Sequence, residues 1–146
     1  DEIAHPGDFP LTTLQPGEAS GRLLGGNLSL LGGTLGTPWE IDSDGIILFI
    51  EDVNEPLYRV DRLLTHLRLS GKLASVKGVL VGDFAGIAVA DMAPLLADIF
   101  GPLGIPVLAG WRSGHCDPNL TLPMGAQVRL DATQQRLWLE QDVFEG

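Results

Sequence analysis

The chain has 146 residues, of which 45% are hydrophobic, and this length and composition predict one ordinary folded core rather than two. Its formal net charge of −10, with no basic run, opposes binding to phosphate backbones and anionic lipids, and no apolar stretch is long enough to span a bilayer. We therefore expect neither nucleic-acid nor membrane partners, and the single cysteine, Cys116, fits the reducing conditions of a cytoplasmic location.

The first segment, residues 1–20, is predicted to be an N-terminal arm or interdomain linker, followed by one domain over residues 21–146. It contains three prolines and four acidic residues and shows no sustained periodicity. His5 lies in this arm and is expected to face solvent, as is His66 on the polar face of a later helix. Because the first residue is not Met, we expect the chain to be part of a longer or processed product.

The next segments predict an alternation of strand and helix. Residues 25–38 hold five glycines and two short apolar clusters, which predict a structured loop with a short helical turn. Residues 46–50 form an isoleucine-rich run that is typical of a strand buried on both faces. A helix is predicted from Pro56 to about Gly71, because leucine and valine recur there at helical spacing.

The second half continues this alternation and then changes character. A strand is predicted over residues 76–81, a helix over 91–100 with Asp91 as its N-cap, and a strand over 105–109. Short connections between these elements predict an α/β fold with a parallel β-α-β-α-β core. Residues 127–140 alternate around a polar turn and predict a C-terminal hairpin.

Two residues at the carboxyl edge of this predicted sheet indicate hydrolytic chemistry. Glu51 ends an apolar run, where a charge is costly without a partner, and His115 lies in the loop that follows the third strand. Asp83, after the second strand, is expected at the same edge. Glu51 and His115 are typical of the orienting acid and general base of a triad. No serine stands in a Gly-x-Ser-x-Gly elbow, so the nucleophile is not identified.

Each of these residues also has a structural interpretation. Glu51 could instead cap the following helix or pair with Arg59 or Arg62. Arg112 could bind a substrate carboxylate bidentately or form an ordinary surface salt bridge. A third candidate, Asn27, could donate or accept a hydrogen bond to a substrate or a domain partner.

Cofactor and metal sites are not predicted. The three histidines lack the spacing of a zinc site, and the glycine cluster of residues 25–33 lacks the Gly-Lys-Ser/Thr ending of a phosphate loop. Cys116 is next to His115, but neighbours in an extended loop point in opposite directions, so we expect a free, partly buried thiol rather than a nucleophile.

Five motifs connect the chain to a known family. They are RLLGGNLSLL from Arg22, GTP from Gly36, ILFIEDVNEPLYRVDR from Ile47, GVLVGDF from Gly78, and GH from Gly114 with NLTLPMG from Asn119. Over residues 20–131 the chain thereby closely resembles the C-terminal domain of LD-carboxypeptidases. That serine peptidase family includes muropeptide-recycling enzymes and microcin-immunity peptidases.

The resemblance implies a swivelling β/β/α layered domain that supplies the glutamate and histidine of a Ser-Glu-His triad, at Glu51 and His115. The serine would come from a separate N-terminal domain, so the chain alone would be inactive. The implied substrate is a peptide with a terminal D-amino acid or related group, as in peptidoglycan recycling or peptide-antibiotic resistance. The resemblance also implies a homodimer. It implies no metal and no cofactor.

The chain departs from the family pattern in two places: it lacks the serine-bearing domain, and Cys116 stands where a small residue is expected. If that domain docks here, we expect an exposed apolar surface formed by Leu30, Leu31, Trp39 and Trp111. The alternative function is a non-catalytic swivelling module for ligand binding or assembly, in which Glu51 and His115 merely pair.

Overall fold

A computed structural model of the protein describes residues 1–114 and 119–140. Its strands are β1 (Thr12–Gln15), β2 (Glu18–Asn27), β3 (Ile47–Val53), β4 (Gly78–Ala85), β5 (Val107–Ala109), β6 (Gln127–Asp131) and β7 (Arg136–Leu139). Its α-helices are α1 (Leu28–Gly33), α2 (Leu57–Leu69) and α3 (Val89–Phe100), and a 3-10 turn (Gly101–Leu103) follows α3.

The strands form one sheet in the order β1-β5-β4-β3-β2-β6-β7. Neighbours from β5 to β2 are parallel, whereas β1 pairs antiparallel with β5, β6 with β2, and β7 with β6. This arrangement confirms the predicted α/β class, the parallel β-α-β-α-β core and the C-terminal hairpin. The predicted helical turn within residues 25–38 is α1.

The sheet is curled, so that its two edges approach each other. The hydroxyl of Thr13 in β1 donates to the carbonyl of Ala132 in the hairpin turn, and the Gln135 side chain of the same turn donates to the Leu11 carbonyl at 3.2 Å. The strand β2 makes the curl possible because it changes partner along its length. Its first half pairs with β6 and its second half with β3.

The strands β1 and β2 were not predicted from the sequence. Part of the segment 1–20, interpreted as an arm, forms β1 and the start of β2. The sequence of β2 lacks a strand pattern because glycines interrupt it. Glycine is required at position 25, where a Cβ atom would lie 1.9 Å from the Phe49 carbonyl oxygen. The close approach of β2 to β3 thus requires a residue that carries no apolar signal.

Two apolar layers cover the two faces of the parallel strands. On the helix side, residues such as Leu48 and Ile50 pack against α2 and α3. On the inner side of the curl, Ile47 and Phe49 pack with residues of the hairpin. Residues 46–50 are therefore buried on both faces, as predicted, and each fully buried Ile or Leu contributes about 1.5–3 kcal/mol.

The helices begin close to their predicted positions. Pro56 is the N-cap of α2, and α3 begins at Val89, so the prediction that Asp91 is the N-cap is wrong. Asp91 lies instead in the first turn of α3, where a carboxylate favours the helix dipole. None of the helices among the described residues is long and apolar enough to cross a membrane.

Candidate functional site

The candidate site lies where β2 and β3 end side by side. Asn27, the last residue of β2, is in register with Glu51 in β3. Glu51 is only 5% exposed, so its carboxylate is a buried polar group at the carboxyl edge of the parallel strands. Open α/β sheets place their ligands at this edge.

A register shift between β3 and β4 occurs beside Glu51. Two residues of β4, Gly82 and Asp83, lie opposite this one residue of β3. The Asp83 N–H donates to the Ser113 carbonyl at 2.9 Å, so the irregular strand holds the loop that follows β5. A Cβ atom on Gly82 would lie 2.6 Å from both the Phe49 ring and the Ser113 oxygen, which makes glycine necessary for this approach.

The end of this loop lies against the Glu51 side chain. A Cβ atom placed on Gly114 would be 3.0 Å from the Glu51 Cβ and 3.4 Å from its Oε1. The Gly114 N–H donates to the Asn119 side-chain oxygen at 3.0 Å, which joins the two residues flanking 115–118. The predicted residues His115 and Cys116 lie outside the described residues.

A polar network surrounds the carboxylates of Glu51 and Asp52. The Asn27 Nδ2 is 3.2 Å from Asp52 Oδ1 and 3.4 Å from Glu51 Oε2, and its Oδ1 accepts from the Leu30 N–H at 3.1 Å. Asp52 Oδ2 accepts from the Ser29 N–H at 2.8 Å and from the Ser29 hydroxyl at 2.7 Å. Asn27 thus connects both carboxylates to the start of α1.

Asp52 was not predicted from the sequence to be part of the site. It is 3% exposed, less than Glu51, although it is the second charged residue in a strand that is otherwise apolar. A second charge at the end of a buried run was the signal that could have found it, because such a group is costly without partners.

The helix α2 does not support the two alternative roles of Glu51, which were capping this helix and pairing with Arg59 or Arg62. The N-cap position of this helix is taken by Pro56 rather than by Glu51. Arg59 forms an ion pair with Glu55, 3.1 Å between Nε and Oε2, and the guanidinium of Arg62 lies 5.8 Å from the Tyr58 ring centre. Both arginines have local partners on the helix surface.

Arg112 lies at the start of the site loop, beside the N-terminal segment. Its guanidinium carbon is 4.4 Å from the centre of the Phe9 ring, and its backbone N–H donates to His5 Nε2 at 3.2 Å. The His5 ring is 4.7 Å from the Trp111 ring and half-buried, so the prediction that His5 faces solvent is wrong. Burial lowers the pKa of His5, and the Arg112 charge lowers it further.

The predicted apolar surface is only partly present. Leu30 and Trp39 are 68% and 79% exposed, and Leu31 is half-buried against the helix-side core. Trp111 is 1% exposed, so its predicted place on this surface is wrong. Its ring fills the inside of the curled sheet with Leu108 and other apolar residues.

The described part of the site holds two neighbouring carboxylates, Glu51 and Asp52, but no cluster of metal-ligand side chains. Within residues 1–114 and 119–140, no three His, Cys, Asp or Glu side chains gather as metal binding would require. The chemistry available to the described site is that of a buried carboxylate that can orient and stabilise a neighbouring cation.

Comparisons with family models and with curated proteins identify the same family. The family model described as the LD-carboxypeptidase C-terminal domain matches residues 20–130. The probable murein peptide carboxypeptidase of Bacillus subtilis is 43% identical over 143 residues, which is 94% of this chain and 45% of that protein. The chain therefore spans about half the length of this curated relative.

Solved structures agree with this result. An MccF-like protein from Bacillus anthracis superimposes with a TM-score of 0.80 at 26% identity, covering 90% of this chain and 43% of that one. The muramoyltetrapeptide carboxypeptidase of Oxalobacter formigenes gives a TM-score of 0.75 at 33% identity, covering 95% and 48%.

Proposed function

The chain belongs to the LD-carboxypeptidase family as its C-terminal domain, and we propose that it supplies Glu51 and His115 to a Ser-Glu-His triad. The observation that supports this most directly is the contact of Gly114 with Glu51, because His115 is the next residue in the chain. The buried, hydrogen-bonded Glu51 has the environment expected of an orienting acid.

In the proposed mechanism, the serine hydroxyl of an N-terminal domain attacks the peptide carbonyl as His115 takes its proton. Glu51 holds the imidazole in the required tautomer and stabilises the imidazolium. The imidazolium then gives the proton to the leaving amine, and an acyl-enzyme forms. Water, deprotonated by His115, hydrolyses this ester and releases the serine.

The proposed substrate is a peptide whose L-configured centre is joined to a terminal D-amino acid or related group, as in peptidoglycan recycling. The names of the murein peptide and muramoyltetrapeptide carboxypeptidases support this class. The likeness to a microcin C7 self-immunity protein keeps a peptide-nucleotide toxin as a second substrate class.

Two residues are proposed to contact the substrate. Arg112 would bind its carboxylate through the guanidinium. Asn27 would act through its Oδ1, since both protons of its amide group are directed at Glu51 and Asp52.

The proposed partners are the serine-bearing domain and, in the assembled protein, a second copy of the chain, in the cytoplasm. Contiguous exposed apolar surface is typical of a contact region, and the proposed surface includes Leu30 and Trp39, which are 68% and 79% exposed. The lost nucleophile and oxyanion donors make the isolated chain inactive, because loss of one such donor alone costs about 10²–10³ in rate.

The test is release of D-alanine from a muropeptide tetrapeptide by the purified 146-residue chain and by the complete protein that contains it. We expect turnover only by the complete protein. A peptide-nucleotide conjugate assayed in parallel distinguishes the two substrate classes. Absence of turnover on both substrates by the complete protein would contradict the peptidase and favour a non-catalytic module.

A further inference from the structure

We propose that Asp52 is a positioning residue that sets the orientation of the Glu51 carboxylate through the side-chain amide of Asn27. This inference rests on the proposed function, in which Glu51 orients the general base. It assigns a role in the reaction to a buried carboxylate that would not touch the substrate.

The Asp52 carboxylate is buried and accepts several hydrogen bonds. It is 3% exposed and accepts hydrogen bonds from the Ser29 N–H at 2.8 Å, the Ser29 hydroxyl at 2.7 Å and the Val53 N–H at 2.8 Å. The Asn27 amide adds a fourth donor at 3.2 Å. Four donors fix both oxygens of this carboxylate, and Asp52 is therefore a rigid anchor.

Asn27 transmits this position to Glu51. Its Oδ1 accepts from the Leu30 N–H at 3.1 Å, so the Nδ2 group must face the carboxylates. One amide proton is directed at Asp52 Oδ1, which leaves the other for Glu51 Oε2 at 3.4 Å. The second contact is longer and therefore weaker than the first, and it restrains the orientation of the Glu51 carboxylate.

Orientation matters because the Glu51 side chain has three rotatable bonds and must present one oxygen to an imidazole. A displacement of about 1 Å in a catalytic arrangement can cost about 10²-fold in rate. The substitution Asp52→Asn replaces an acceptor with a group that also carries N–H donors, opposite the donors of Ser29 and Asn27. The Asn27 amide would then lose its fixed position.

The expected result in the complete protein is a fall in kcat of about 10–100-fold for Asp52→Asn; KM should rise as well, because the Asn27 side chain that loses its position is also proposed to contact the substrate. The acid limb of the pH profile of kcat/KM should move to lower pH, because a misaligned Glu51 stabilises the imidazolium less. The double variant with Glu51→Gln should have a kcat no lower than that of Glu51→Gln alone, since Asp52 acts on kcat only through Glu51.

A matched control is Asp131→Asn. Asp131 is also 3% exposed and accepts from a backbone N–H, that of Gln134 at 2.9 Å, in the hairpin turn. We expect this variant to be less stable but to keep its kcat and pH profile. It separates the loss of a buried carboxylate from the loss of this one.

If Asp52→Asn does not fold, Ser29→Ala replaces it as the test. This variant removes one of the four donors to Asp52 and should lower kcat by about 3–10-fold, again with no further loss in the Glu51→Gln background.

Rate losses that multiply with Glu51→Gln, or an unchanged kcat in both variants, would overturn the positioning role while leaving the triad in place. A Glu51→Gln variant with normal kcat would instead contradict the proposed function, and this inference with it.

Discussion

The backbone of Gly114 packs against the side chain of Glu51. A Cβ atom added to Gly114 would lie 3.0 Å from the Glu51 Cβ. The register shift in β4 makes this contact possible, because the Asp83 N–H holds the loop at Ser113. The loop and the carboxylate are therefore positioned by the same strand irregularity, as is common near active sites.

This contact predicts the effect of Gly114→Ala. Gly114 has φ +122 and lies against Glu51, so alanine would add backbone strain and displace the carboxylate. In the complete protein we expect kcat to fall by about 10²-fold. The matched variant is Gly86→Ala, since Gly86 has φ +88 but no atom within 4 Å of an added Cβ. Equal kcat values for the two variants would contradict the account.

Two adjacent glycines of β2 allow a test of the close packing between β2 and β3. Gly25 and Gly26 have φ values of +138 and +144, but only a Cβ on Gly25 would clash, 1.9 Å from the Phe49 carbonyl oxygen. Gly26→Ala should cost about 1–3 kcal/mol from backbone strain alone. Gly25→Ala should cost at least about 2 kcal/mol more, or prevent folding. Urea unfolding of the isolated chain measures both, and similar midpoints would refute the close approach.

The burial of His5 predicts a pH dependence of stability. Burial against Trp111, aided by the Arg112 charge, lowers the pKa of His5 in the folded state. The unfolded chain then binds this proton first as the pH falls below about 6.5, which favours unfolding. The wild type should lose stability relative to His5→Asn between pH 7.5 and 5. A difference in unfolding free energy that stays constant over this range would show that His5 titrates normally.

The sequence predicts best the elements whose residues carry their own pattern. Residues 46–50 form an apolar run too continuous to face water, and residues 127–140 alternate as a hairpin does, and both predictions are confirmed. The strand β2 lacks a comparable pattern because glycine supplies close backbone contact without any hydrophobic signal.

Long-range contacts explain the remaining differences. His5 was expected in solvent, but its partner Arg112 lies 107 residues away in the chain. Trp111 was expected on an exposed surface, but the sheet curls around it. The local sequence of Trp111 does not indicate this curl. The long-range partners of Asp52 are Ser29 and Asn27, which reach it because α1 starts beside β3.

The measurement that tests the central claim most directly is kcat of the complete protein on a muropeptide tetrapeptide, compared with three variants. We predict a loss of at least about 10³-fold for His115→Ala and a loss that can reach about 10⁴-fold for Glu51→Gln, as when the acid of a serine protease triad is replaced by its amide. Cys116→Ala should retain full activity. Turnover by the isolated 146-residue chain that survives His115→Ala but is abolished by Cys116→Ala would contradict the account.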